Sequence, residues 1–163
     1  MTSTDSTSFL AHLNANMGIA HKVSRLYFED AETREELVQE MMFRLWKAFP
    51  NFDQRAKFST WMYRVCLNTA LTYFKNSKQR KTVTLEEQHF HLAEEPPSDQ
   101  EEQWLELMKA ISELPSINKA IILLYLEDHS YAEISDIIGI SISNVSVKLV
   151  RIKKELEKNL KKN

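Results

Sequence analysis

Two stretches of this chain carry side chains suited to holding a polyanion. Between 54 and 81 stand seven cations (Arg55, Lys57, Arg64, Lys75, Lys78, Arg80 and Lys81) and no carboxylate. From Lys148 to the end, seven more cations face two acidic residues. Cations at that density attract phosphates by Coulomb force and by releasing the counterions that phosphates hold. The segment between them has the opposite sign: 82–108 carries eight carboxylates (Glu86, Glu87, Glu94, Glu95, Asp99, Glu101, Glu102 and Glu106) and no Lys or Arg. The formal net charge of −2 argues against a free-standing, tight DNA binder. Its distribution points to two nucleic-acid surfaces flanking something different.

The first basic stretch also holds Trp61, Tyr63, Tyr73 and Phe74. Rings among cations suit a single strand, because unstacked bases can lie on the rings while the charges follow the backbone. The competing reading is that these rings are core; it is favoured for Trp61 and evenly balanced for the set. Chemistry of other kinds is thinly represented. His89-x-His91 has no cysteine or third histidine near it, so no metal site is expected. Gly18 and Gly139 are the only glycines, which excludes a Gly-rich phosphate loop, and no carboxylate pair is visible at catalytic spacing. The expectation is a protein that is not an enzyme and takes no cofactor.

The elements that must position these groups are helical. With 2 Gly and 4 Pro in 163 residues, an all-β chain would lack turn residues, so an all-α fold is expected. The single cysteine, Cys66, rules out an internal disulfide, fits a reducing cytoplasm and sits in an apolar helical pattern that suggests core. No long apolar run and no basic-then-apolar leader occur, so neither membrane insertion nor secretion is indicated. Residues 1–8, small and polar, read as disordered. A helix is expected over 9–28. A second starts at the Thr33/Glu36 capping-box spacing and runs to Phe49, with Leu37, Val38, Met41, Met42, Leu45, Trp46 and Phe49 inward and Glu36, Gln39, Glu40 and Phe43 on another face. Pro50 closes it. A polar loop over 51–59 precedes a third helix over 60–81. Residues 82–98, with Pro96-Pro97 and no periodicity, read as a linker. Ser98 and Glu101 open a fourth helix, which Leu114-Pro115 breaks.

The pattern is sharpest over 130–156. Ser130 and Glu133 have capping-box spacing, Ile134, Ile137 and Ile138 give one apolar face, and Gly139 can take the left-handed conformation that ends a helix. Ser141 can cap a second helix with Val145, Leu149, Ile152 and Leu156 at helical spacing. Ser143, Asn144, Val147, Lys148, Val150, Arg151 and Lys154 are left outward. An apolar-backed helix with a basic outer face behind a tight turn has the helix-turn-helix form that enters DNA's major groove. An ordinary helical hairpin with a solvated face is the competing reading.

Two blocks then stand out together. ELVQEMMFRLWKAFPNFDQRAKFSTWMYRVCLNTALTYFKNSKQRK resembles the second domain of the extracytoplasmic-function sigma factors of the bacterial sigma-seventy family, and LPSINKAIILLYLEDHSYAEISDIIGISISNVSVKLVRIKKEL resembles their fourth. The resemblance implies two helical modules joined by an acidic linker, with boundaries 9–81, 82–98 and 99–160, the C-terminal one a helix-turn-helix. It implies an alternative sigma factor that binds core RNA polymerase and directs promoter recognition and melting. By the same resemblance Glu36, Gln39, Glu40 and Phe43 would meet the polymerase clamp coiled coil. Phe52, Arg55, Lys57, Trp61, Arg64, Asn68, Lys75, Lys78 and Arg80 would hold the −10 element, with Asn68 and Phe52 at the pocket for a flipped base. Ser141, Ser143, Asn144, Val147, Lys148, Arg151 and Lys154 would face the −35 element. The acidic linker would thread the polymerase's basic RNA path, the fourth domain would meet the flap, and an anti-sigma factor is an expected partner. The free chain is expected to be monomeric and cytoplasmic, joining the nucleoid with polymerase. Three residues depart from the family pattern: Ser146 stands for a cation, Val147 for a serine and Leu124 for an arginine, so −35 specificity does not carry over. Val147 could instead rest on a thymine methyl.

Two other readings remain. A stand-alone regulator of the response-regulator DNA-binding type explains 130–156 equally well but leaves the basic, aromatic helix after Pro50 unexplained. A helical protein–protein adaptor would make the charge blocks solvated faces.

Overall fold

The computed structural model describes residues 3–80 and 98–162. Lys81, most of the acidic linker and the His89-x-His91 pair lie outside the described residues. Those described form seven α-helices: α1 Ser3–Tyr27, α2 Ala31–Ala48, α3 Phe58–Arg80, α4 Asp99–Ser112, α5 Ser116–Leu126, α6 Tyr131–Ile138 and α7 Ile142–Lys161. A short 3₁₀ turn, Phe49–Asn51, follows α2. The first three helices pack on one another, and α4 to α7 form a second group around α7.

Helix α1 starts at Ser3, inside the stretch read as disordered. Composition misled there because docking decides the outcome. Phe9 is buried, its ring 5.5 Å from Trp46 edge-on and 5.0 Å from Phe49, and Asp5 lies in the first turn, where the helix dipole favours a carboxylate. The cap of α2 also differs from expectation. Asp30, three residues before Thr33, is the N-cap and accepts from both the Thr33 amide and hydroxyl. Those bonds hold its carboxyl below the usual range. Leu37, Met41 and Leu45 are buried as expected, but Trp46 is 42% exposed at the edge of the core.

The second group follows its sequence signals closely. Ser98 with Glu101 and Ser130 with Glu133 each make both bonds of a capping box, and these bonds pull the Glu133 carboxyl below its ordinary value. Gly139 ends α6 at φ +83°. The turn then delivers Ser141, whose hydroxyl accepts from the Asn144 amide to cap α7. Val145, Leu149, Ile152 and Leu156 are all buried. Leu124, where the family pattern has an arginine, is fully buried in α5 and presents nothing to DNA.

The two groups are packed together through one continuous apolar cluster. α3 touches both α5 and α6. Tyr27 donates its hydroxyl to the Ser116 carbonyl at 2.7 Å, and Lys22 pairs with Glu127 at 2.9 Å. The buried Lys119 ammonium lies 5.7 Å from the Tyr27 ring centre and 5.3 Å from that of Phe74. Tyr63 meets His129 edge-on at 4.9 Å.

Two outcomes follow from this packing. No atom lies within 4 Å of a Cβ built at Gly139, so Gly139→Ala meets only the left-handed backbone penalty, about 1–2 kcal/mol, and Gly139→Asn meets less. Urea unfolding should rank them wild type, Asn, Ala. Burial pushes the Cys66 thiol up to about 12, leaving almost no thiolate at pH 8. A thiol reagent at pH 8 should therefore label Cys66 only in denaturant; rapid labelling of the native chain would contradict its burial.

Candidate functional site

Helix α3 has one side left over after packing. Met62, Tyr63, Cys66, Leu67, Thr69 and Ala70 are buried. At 100° per residue, the remaining side carries Trp61, Arg64, Asn68, Thr72 and Lys75 in a stripe along four turns. Arg64, Asn68, Thr72 and Lys75 are exposed and Trp61 is half-buried. Phe52 reaches the start of this stripe from the preceding loop, its ring 5.0 Å from Trp61. Both rings are held by Phe49 and Phe58 behind them, with centroids 5.4–6.3 Å away. Arg55 and Lys57 stand exposed on the same loop, and Arg55 pairs with Asp53 at 3.2 Å. Lys78 and Arg80 continue α3.

The aromatic set identified in the sequence therefore divides. Trp61, read as core, is shared between the cluster and the surface. Tyr63 is core, and burial first and the Glu127 carboxylate second raise its phenol to about 12. Tyr73 and Phe74 turn toward Phe28, just past the end of α1, so neither belongs to the Trp61 stripe. Phe52 and Trp61 are the pair on which a base can stack, with Arg64 and Lys75 spaced to follow a backbone and the Asn68 amide offering both donor and acceptor. Asn51, Phe52, Asp53, Arg55, Trp61 and Arg64 line a shallow groove whose opposite wall is Asp136 and Ile137 of α6. The second module thus overlies one end of the stripe.

On α2, Gln39 and Phe43 point outward, Phe43 being 58% exposed. Glu36 and Glu40 are on that side too, but each is engaged: Tyr73 donates its hydroxyl to Glu36 at 2.8 Å, and Arg44 pairs with Glu40 at 2.9 Å. The sequence did not foresee the Tyr73 contact, which joins positions 37 residues apart. On α7, Ser141, Ser143, Asn144, Val147, Arg151 and Lys154 are exposed, whereas Lys148 is half-buried on the flank of the outer face.

The Sigma-70 region 2 family model matches residues 9–80 and the Sigma-70 region 4 model residues 104–156. The ECF RNA polymerase sigma factor SigM of Bacillus subtilis is 30% identical over 132 residues, covering 79% of this chain and 80% of its own length. The chain belongs to the extracytoplasmic-function sigma factors. It is an alternative sigma factor that directs transcription initiation, and the stand-alone regulator is not favoured, since the region 2 match covers the helix that reading left unexplained. The RNA polymerase sigma-H factor of Pseudomonas aeruginosa is 24% identical over 156 residues, 86% of this chain and 81% of its own. In fold the sigma factor resembles the Bartonella quintana sigma factor RpoE, solved with the anti-sigma factor NepR, at a TM-score of 0.75, 19% identity, and 94% and 97% coverage of the two chains. It also resembles CnrH, solved with the cytosolic domain of CnrY, at a TM-score of 0.70, 16% identity, and 97% and 90% coverage. Among the described residues no helix is long and apolar enough to cross a membrane.

Two of the bonds between the modules, Tyr27–Ser116 and Lys22–Glu127, can be weighed. A hydrogen bond contributes about 1 kcal/mol and an exposed ion pair less. Tyr27→Phe combined with Lys22→Ala should therefore shift the balance of packed and separated modules by about fivefold or more. Small-angle scattering should report a larger radius of gyration for the double variant at unchanged helix content; equal radii would show that these two bonds do not hold the modules.

Proposed function

We propose that this sigma factor divides promoter opening among three surfaces. The outer face of α2, with Glu36, Gln39, Glu40 and Phe43, docks on the clamp coiled coil of core RNA polymerase, and the 99–160 module meets the flap. The α3 stripe with its loop takes the −10 element: Phe52, Trp61 and Asn68 receive an unstacked base of one strand, while Arg55, Lys57, Arg64, Lys75, Lys78 and Arg80 attract its phosphates. Extruding a base costs a few kcal/mol, so a pocket that holds it makes melting depend on sequence. The outer face of α7, Ser141 to Lys154, lies in the major groove of the −35 element. Acidic residues of the 82–98 linker occupy the polymerase's RNA path, where carboxylates stand in for phosphates.

The observation that carries this reading is the α3 stripe, where one ring, an exposed amide and two cations share one side of the helix and a second ring, Phe52, joins them from the preceding loop. That arrangement suits a single strand better than a duplex. In the packed arrangement Asp136 and Ile137 stand at the groove beside Phe52 and Trp61, so a strand enters only once α6 has withdrawn. Docking on polymerase, with its two separate attachment points, holds the modules apart. An anti-sigma factor acts in the opposite sense and keeps them together. The chain works in the cytoplasm, at the nucleoid when polymerase-bound.

Run-off transcription with bacterial core polymerase and genomic fragments of the source organism tests the assignment. The protein should produce transcripts absent from core alone. Asn68→Ala should lower open-complex formation tenfold or more, about 1.4 kcal/mol, with core affinity unchanged. Phe43→Ala should weaken core affinity by about 1–2 kcal/mol and restore full activity at high protein concentration. Transcripts indifferent to both substitutions would remove the two surfaces from the mechanism.

A further inference from the structure

The outer face of α7 is not the basic surface that its composition suggests. Val145, Leu149, Ile152 and Leu156 mark its buried side. Opposite them, at 100° per residue, run Ser143, Val147, Val150 and Lys154, with Arg151 adjacent. Val147 is 47% and Val150 53% exposed, and Ile142 in the first turn is 53% exposed. Lys148, the first cation of the helix, stands half-buried on the flank. The leading three turns of α7, whose N-terminal end in a helix-turn-helix reaches the base edges, therefore present hydroxyl and aliphatic groups along their outermost line. Guanine is read by paired donors of Arg or Lys, and adenine by the paired amide of Asn or Gln. No Arg, Lys, Asn or Gln stands on that line before Lys154. Asn144 stands to one side of it, and Arg151 borders it in the same turn as Val150.

One apolar group projects into the major groove: the C5 methyl of thymine. We infer that Val147 and Val150 read thymine methyls in the −35 element, so that this sigma factor selects its upstream sequence by apolar contact, while Arg151 and Lys154 hold phosphates. The inference rests on the assignment of α7 to the −35 element, and adds the chemistry by which α7 discriminates. Isolated exposed aliphatic residues need no explanation, but two on successive turns at the centre of a groove-facing line form a continuous strip. Neither is needed by the core, whose side of the helix is complete without them.

Deoxyuridine tests this directly, since it differs from thymidine by the methyl alone. A −35 sequence is first selected from a randomised library with the holoenzyme formed from core polymerase and this chain. Each thymidine in it is then replaced singly. Wild-type holoenzyme should lose about fourfold in affinity at one or more positions, as loss of one buried methyl contact implies. Val147→Ala and Val150→Ala should each bind the thymidine fragment less well and bind one thymidine and its deoxyuridine counterpart equally. Both positions are exposed and alanine favours the helix, so folding is retained. Wild-type affinity unchanged by deoxyuridine at every position overturns the inference while leaving the −35 assignment standing, as does full discrimination in both variants. Failure to select any −35 sequence removes the assignment and the inference together.

Discussion

The structure depends on the way α3 is shared. Its buried side is built from Met62, Cys66, Thr69 and Ala70, three of them small, which lets α1 and α2 approach closely. Tyr63 and Phe74 lead off in another direction, to His129 and Lys119 of the second module. What remains is a narrow side, and Trp61, Arg64, Asn68 and Lys75, four of the groups proposed to meet the −10 strand, lie on it. A helix offers its full circumference once. With two sides committed to packing, the third is rigid because of them, which is what a site for an extruded base needs. The Thr69 hydroxyl, donating to the Val65 carbonyl at 2.6 Å, lets a polar side chain sit in that core without an unsatisfied group.

How far the sequence could be read varies with the range of the interaction. The helix-turn-helix was legible almost residue by residue, because caps, the left-handed glycine and the 3.6-residue period are all local. Helix α1 was not, since nothing in MTSTDSTS announces the docking of Phe9 on Trp46 and Phe49 from another helix. The cap of α2 was misplaced by three residues because Asp30 and Thr33 are both good caps, and the Asp30 carboxylate accepts from Thr33 itself. Trp46 matched the inward period yet sits at the rim, where only neighbouring helices decide how much of a large ring is covered. The candidate site was legible as a list of residues. Its division into stackable and buried aromatics was not, because Tyr63 and Trp61 are two residues apart and their faces depend on what packs beside α3.

Charge separation along the chain has a structural counterpart. Helix α3 carries cations and no carboxylate, and α7 has no carboxylate before Glu155. The first turn of α4 holds Asp99, Glu101 and Glu102, where the helix dipole favours them. The ion pairs among the described residues, Lys22–Glu127 between the modules included, are all on the surface. Such pairs contribute little to stability.

The contact between modules follows the same economy. Among the described residues its polar members include a phenol–carbonyl bond, an exposed ion pair and an ammonium over two rings, contributions of about 1 kcal/mol, less than about 1, and up to about 2 in turn. The apolar contact around Tyr63 and Ile137 adds area without any bond that must be remade. Lys119 decides the character of this contact. Its ammonium is buried only while the modules are together, and on separation it returns to water, which offsets part of the cation–π energy lost. A hydrophobic residue in its place would hold the modules more firmly and leave an apolar patch exposed after they part. The ammonium thus suits a contact that can part, as the proposed entry of a strand at the α3 stripe requires.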